Sequence, residues 1–294
     1  MKFVTARLHD DEFIGMIQGE KAIHINKIAK ERFQTDIPTN MISFIEHFHY
    51  FEHIIKEIIE EKGHDAFSYS IEETEILAPI PRPSKNVFCV GKNYRDHAIE
   101  MGSEQDIPTN LMMFSKAPTA VVGPDAPILR HEDVTDELDY EGELAVIIGK
   151  KGKSISKDDA FHHVFGYTIL NDITARDLQS KHKQFLIGKS LDTSCPMGPF
   201  IVHKSEIENA ANLHIETRVN GEIRQDGNTE QFIFPIEEII ATLSKGTTLE
   251  PGDIIATGTP AGVGKGFNPP KFLSSGDIIE ITVEGIGTLR NKVQ

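Results

Sequence analysis

Apolar residues recur along this chain with two different periods, and the change between them divides it near residue 80. The first stretch opens with short apolar runs at residues 2–8, 13–17 and 22–25, the pattern of strands. It then turns helical. Phe51, Ile54, Ile55, Ile58 and Ile59 fall at the spacing that lays one apolar stripe along a helix, which marks a packing face rather than chemistry. Ala78-Pro79-Ile80-Pro81-Arg82-Pro83 follows, where proline fixes the backbone and removes donors, as suits a stiff connector. Beyond it the apolar runs are short and β-prone, at residues 87–90, 144–148, 164–170, 200–202, 215–219, 254–256 and 278–283, with Asn220-Gly221 as a tight hairpin turn. Helical pieces are expected at residues 95–101, 157–163, 174–181 and 235–243. The pattern predicts an α+β chain, mostly β, with a small α+β N-terminal domain over residues 1–78 and a larger domain over residues 79–294.

Composition narrows what such a chain does. Its 294 residues suffice for a large core, and 39% hydrophobic and 26% charged residues are ordinary globular values. A formal net charge of −15 argues against nucleic acid and anionic membrane surfaces as partners. It leaves room for an anionic small molecule, because a bound cation with a few Lys and Arg reverses the field locally. The two cysteines, Cys89 and Cys195, form no disulfide framework and no Cys-x-x-Cys motif, which points to a reducing compartment. The opening residues are charged rather than leader-like, and no apolar run approaches the length of a membrane span, so a cytoplasmic protein without membrane insertion is expected.

The candidate chemistry begins at Tyr140-Glu141-Gly142-Glu143, directly before the 144–148 run. Residues two apart on a strand share a face, so Glu141 and Glu143 converge, and Asp172 falls where the 164–170 strand ends. Three carboxylates favour a hard divalent cation, Mg²⁺ or Mn²⁺, over zinc; a lone Glu-x-Glu pair is more often a solvated strand face. On a 95–101 helix, His97 and Glu100 share a face as a general-base dyad, although His-x-x-Glu pairs are also common on ordinary helix surfaces. Arg176 and Gln179, just behind Asp172, can reach ligand or metal, or Arg176 can sit in a structural salt bridge with Asp177 or another acid. Lys189, in a loop dense in Gly, Ser, Thr and Pro, suits a developing enolate oxygen. In the 256–264 loop, glycines allow close backbone approach to a ligand and Thr259 offers a hydroxyl and a backbone donor.

These segments resemble the fumarylacetoacetate hydrolase family from about residue 79 to residue 289. The matching motifs are Gly-x-Asn-Tyr-x-x-His-x-x-Glu at 91–100, Asp-Tyr-Glu-Gly-Glu at 139–143, Asn-Asp-x-Thr-Ala-Arg-Asp at 171–177, Gly-Lys-Ser-x-Asp at 188–192 and Thr-Gly-Thr-Pro-x-Gly-Val-Gly at 257–264, in the family's order. The resemblance implies a mixed β-roll, Mg²⁺ or Mn²⁺ on Glu141, Glu143 and Asp172, substrate addressed by Lys189 and Thr259, and His97 with Glu100 on a lid. It also implies a homodimer. Among members, the chain is most similar to short bacterial forms that decarboxylate oxaloacetate and are relatives of acylpyruvate hydrolases. The expected activity is therefore metal-dependent C–C cleavage of a small 2-oxo acid, foremost oxaloacetate decarboxylation to pyruvate and CO₂. Isomerisation or hydration of a hydroxymuconate-type diacid, such as 2-hydroxyhepta-2,4-diene-1,7-dioate, is the alternative enzyme reading, and a 2-oxo acid sensor is the non-enzyme one.

Overall fold

The structure is a computed structural model that describes residues 1–60 and 64–294. The strand pattern is seen directly. Strands run over Lys2–Leu8, Asp11–Gln18, Lys21–His24, Val87–Gly91, Gly142–Ile148, Val164–Asn171, His214–Val219, Ile254–Ala256 and Ile278–Val283. The expected 200–202 strand is the end of a longer one, Cys195–His203. Strands Met112–Lys116, Glu222–Asn228 and Gly287–Val293 are further long ones, and the remaining strands are two or three residues each. Asn220 and Gly221 both take positive φ, 53° and 80°, and let Glu222 return to pair with Val219.

Among the described residues twelve strands share one sheet, and the N-terminal strands belong to it. Lys2–Leu8 pairs antiparallel with Cys195–His203, which pairs with Val164–Asn171, then Gly142–Ile148, Ile254–Ala256, Val87–Gly91 and Met112–Lys116. A boundary at residues 78 and 79 therefore falls inside a continuous sheet. A second, five-stranded sheet holds Glu222–Asn228, His214–Val219, Ile278–Val283, Gly287–Val293 and the short Pro127–Ile128.

The central strand Gly142–Ile148 is buried throughout and divides two cores by its alternation. Leu144, Val146 and Ile148 face one core, shared with Ile215, Ile279, Ile281 and Leu289 of the second sheet and with Ile236, Ile239 and Ile240 of helix Ile236–Ser244. Ala145 and Ile147 face the other, where helix Met41–Glu60 packs Phe44, Ile45, Phe48, Ile55 and Ile58. Phe44 and Phe48 meet Phe3 edge to face at centroid distances of 5.1 and 5.6 Å. The expected helical stripe is this packing face. Two α-helices went unread among the described residues. One is the single turn Leu186–Lys189, which carries Lys189 where a loop was expected. The other is Ile25–Phe33, directly after Lys21–His24; its buried residues Ile25, Ile28 and Ala29 recur at helical spacing and its first turn is capped by the His24 ring.

Candidate active site and carboxylate triad

Strand register builds the site. Gly142 pairs with Asn171, so Glu141 and Asp172 lie opposite each other just beyond the antiparallel pair, joined by Asp172 N–H donating to Glu141 O at 2.9 Å. Glu143 shares parity with Glu141 along the strand. One ligand oxygen from each of Glu141, Glu143 and Asp172 lies within 4.8 Å of the others, and all three side chains are buried. On the other flank, Ala145 pairs with Ala256, which delivers the 257–264 loop to the same place: Gly258 N–H donates to Glu143 Oε2 at 2.8 Å. Gly258 has φ of 103°, and any Cβ there would meet Asn93 Cβ at 2.7 Å, so both conformation and space call for glycine. Asn93 in turn ties the 92–94 segment to this loop and to the start of the 236–244 helix, donating to Thr257 O at 2.8 Å and Phe234 O at 3.1 Å.

Three cations surround the carboxylates. Lys189 Nζ donates to Glu141 Oε2 at 2.8 Å and Asp172 Oδ2 at 2.7 Å, and sits 4.8 Å over the Phe114 ring. Arg176 Nε donates to Asp139 Oδ2 at 2.8 Å and its Nη1 to Gln179 Oε1 at 3.3 Å. Its Nη2 lies 2.8 Å from Glu141 Oε1 as an ion pair, without the alignment of a hydrogen bond. Arg176 is thus paired with Asp139 and Glu141, not with its neighbour Asp177, which instead accepts from Thr135. The third cation was missed by sequence reasoning. Lys116, fully buried at the end of Met112–Lys116, donates to Asp172 Oδ1 at 2.6 Å and Ile173 O at 2.8 Å. Its only signal was a lysine closing the apolar run Leu111-Met112-Met113-Phe114, a poor place for an unpaired charge.

Four carboxylates, Asp139, Glu141, Glu143 and Asp172, face three cations, Lys116, Lys189 and Arg176, one carboxylate more than the cations can pair. The carboxylate without a cationic partner is Glu143, which accepts from Gly258 N–H. Burial, reinforced by Asp172 and Glu141, pushes its carboxyl well above the usual carboxylate range. Burial alone would raise Glu141 as well, but Lys189 and then Arg176 and His97 outweigh it and hold that carboxyl well below the usual range. Lys189 is raised: burial would lower it, and the Asp172 and Glu141 charges prevail. An all-oxygen donor set with excess negative charge fits a hard divalent cation.

Beside the triad lies a cavity of about 190 Å³ whose polar lining includes Glu141, Glu143, His97, Arg176, Gln179, Lys189 and Thr259 and whose apolar lining includes Met101, Met112, Phe114 and Phe185. The predicted site residues thus come together, with two refinements. Asp172 and Glu100 stand behind the wall: Glu100 Oε2 lies 3.2 Å from His97 Nδ1, which leaves Nε2 as the free ring nitrogen. The helix carrying this dyad, Arg95–Glu100, is under two turns long and ends one residue before the 95–101 expected, with Met101 as its cap. Thr259 spends its hydroxyl on the scaffold, donating to Gly142 O at 2.9 Å and accepting from Gln225 at 2.7 Å. The glycine loop likewise approaches the protein's own carboxylates: Gly258, Gly262 and Gly264 donate to Glu143, Glu100 and Asp139.

Comparison with known proteins places this arrangement. The family described as fumarylacetoacetate (FAA) hydrolase C-terminal matches residues 86–294. Across all of both chains, the protein is 57% identical to the oxaloacetate tautomerase YisK of Bacillus subtilis strain 168. Among solved structures, the fumarylacetoacetate hydrolase of psychrophilic Exiguobacterium antarcticum is 40% identical with a TM-score of 0.83, covering 100% of this chain and 99% of that one. The maleylpyruvate hydrolase of Sphingobium sp. SYK-6, in complex with manganese(II) ion and pyruvate, is 28% identical with a TM-score of 0.80, covering 100% and 98%. Among the described residues no helix is long and apolar enough to cross a membrane. The chain belongs to the fumarylacetoacetate hydrolase family of enzymes.

Proposed function

We propose that this protein moves a proton at C3 of a small 2-oxo diacid, interconverting the keto and enol forms of oxaloacetate, with Mg²⁺ or Mn²⁺ held by Glu141, Glu143 and Asp172. The observation that carries the reading is the buried triad, with one carboxylate more than the surrounding cations can pair and with Glu141 and Glu143 lining a cavity of about 190 Å³. Such a volume lies below the range of about 300–1,000 Å³ usual for drug-sized ligands and suits a four-carbon acid. When bound, the cation supplies a Lewis acid for the 2-oxo acid group. The chain's own residues do the rest. With the cation offsetting the carboxylates they pair with, Arg176 and Lys189 would face the substrate's negative charge, and Met112, Phe114 and Phe185 limit the cavity's water. Glu100 holds the His97 ring by Nδ1, so Nε2 takes the C3 proton while the C–H electron pair moves toward the C2 oxygen. Return of the proton to that oxygen gives the enol.

Decarboxylation, the activity expected from sequence, leads to an enolate at the same atoms but breaks C3–C4 instead of C3–H. The name of the 57% identical relative favours the step that keeps the carbon skeleton. Proton NMR of oxaloacetate with enzyme and Mg²⁺ in D₂O separates them. Deuterium should enter C3 faster than pyruvate appears. Pyruvate forming as fast as label enters would restore decarboxylation as the main activity, and turnover of acetylpyruvate or a hydroxymuconate analogue in place of oxaloacetate would overturn the substrate assignment. The homodimer belongs to the same proposal. Leu186 and Ile187, next to Lys189 in sequence, are each 49% exposed and offer apolar surface to a second copy; size-exclusion chromatography with light scattering tests it.

A further inference from the structure

Glu100 is held from two sides, and only one of them is His97. Its Oε1 accepts a hydrogen bond of 2.9 Å from Gly262 N–H, in the loop across from the Arg95–Glu100 helix. Gly266 lies against the same carboxylate. A Cβ placed on Gly266 would overlap Oε1, Cδ and Cγ of Glu100, and these are the nearest atoms it would meet. The backbone of Gly266 is outside the left-handed region, so its conformation admits any residue and only the space demands glycine. The same loop also grips the triad's surroundings: Gly264 and Lys265 N–H donate to Asp139 at 2.7 and 3.0 Å, and Asp139 accepts from Arg176, which faces Glu141.

We propose that Gly266, together with Gly262 N–H, is a positioning element for the His97–Glu100 pair: the missing side chain at 266 makes a notch that Glu100 must enter before it can orient the imidazole. The inference rests on His97 acting in proton transfer. With the notch filled, the carboxylate swings away from Nδ1, and neither the ring's tautomer nor its angle toward substrate is set. Gly266 touches no substrate; it acts through Glu100.

Four proteins are compared, wild type, Gly266→Ala, Glu100→Ala and the double variant, with His97→Gln as a fifth for spectral assignment. Gly266→Ala should lower kcat by about tenfold to a hundredfold, within the range for an impaired general base, with KM nearly unchanged. The double variant should turn over no more slowly than Glu100→Ala, because the notch then has nothing to receive. Independently of turnover, nitrogen-15 NMR of the His97 ring, assigned by its loss in His97→Gln, should show an Nδ1-protonated tautomer in wild type and the same departure from it in both single variants. Wild-type His97 signals in Gly266→Ala, or losses that multiply in the double variant, would overturn the proposal. If wild type turned over no 2-oxo acid, the proton-transfer reading would fail while the NMR comparison still decided the notch. If Gly266→Ala did not fold, the double variant should fold and melt like Glu100→Ala; its failure to fold would show that the glycine serves another contact and would also overturn the proposal.

Discussion

Replacing Lys116 by methionine probes the part of the site that the sequence concealed. Lys116 is 0% exposed, and its ammonium lies 2.6 Å from Asp172 Oδ1 and 2.8 Å from the Ile173 carbonyl. Methionine approximates its length and packs adaptably, so the change removes charge and a donor with little loss of volume. The excess of carboxylates over cations around the triad rises from one to two. At an effective dielectric constant of about 20, a pair at the 2.6 Å separation is worth roughly 6 kcal/mol gross. After desolvation is counted, breaking a buried pair from one side costs about 3–5 kcal/mol. In chelator, Lys116→Met should therefore melt on the order of 10 °C below wild type. A divalent cation should restore part of that difference, because it neutralises the carboxylate that the lysine left behind, and the metal-induced rise in Tm should be larger in the variant than in wild type. Calorimetric melting with chelator and with Mn²⁺ measures both quantities. A variant within 1 kcal/mol of wild type in chelator, or one with no greater response to metal, would refute Lys116 as the charge partner of Asp172.

Other expectations follow from the same charges. Glu143→Gln should abolish tight Mn²⁺ binding by titration calorimetry while leaving the metal-free fold at least as stable, since the neutral amide relieves the buried repulsion. In wild type without metal, the raised Glu143 carboxyl binds a proton that the unfolded chain has already lost, so its contribution to stability declines as pH rises from the ordinary carboxylate range through its raised value. Because the cation displaces that proton, metal affinity should rise with pH across the same window, and calorimetry in buffers of different ionisation enthalpy should detect the released proton. Lys189→Met should weaken oxalate binding by about 1.5–3 kcal/mol, the scale of a hydrogen bond to a charged group, and should also change Mn²⁺ affinity, because Lys189 holds two of the three carboxylates. His97→Ala should slow proton exchange at C3 by about a hundredfold to ten-thousandfold; an unchanged rate by NMR would remove His97 from the mechanism.

The carboxylates were legible because a strand's period of two and an abrupt end to an apolar run fix where side chains point. Glu141, Glu143 and Asp172 needed only those two facts, and the antiparallel register supplied the third dimension. His97 and Glu100 were legible for the same local reason, three residues apart on one helix. What sequence could not convey was which charge each cation answers. Lys116 is 56 residues from Asp172, and Arg176 chooses Asp139 over the adjacent Asp177 only because the short Leu138–Asp139 and Thr174–Ala175 strands pair. The strand Met112–Lys116 escaped because two flexible methionines give neither alternation nor β-branching. The glycines at 258, 262 and 264 were visible as permissive positions, but their task, donating to three carboxylates from distant segments, is a product of packing.

The central claim is that a cation on Glu141, Glu143 and Asp172 serves proton transfer at C3 of oxaloacetate. Its most direct test is the rate at which freshly dissolved enol oxaloacetate converts to the keto form, followed by the loss of enol absorbance in the ultraviolet. Wild type with Mg²⁺ or Mn²⁺ should accelerate the conversion well beyond buffer and metal alone, the acceleration should vanish in chelator and return when metal is restored, and Glu143→Gln should show none. Acceleration that persists in chelator, or that survives in Glu143→Gln, would contradict the account.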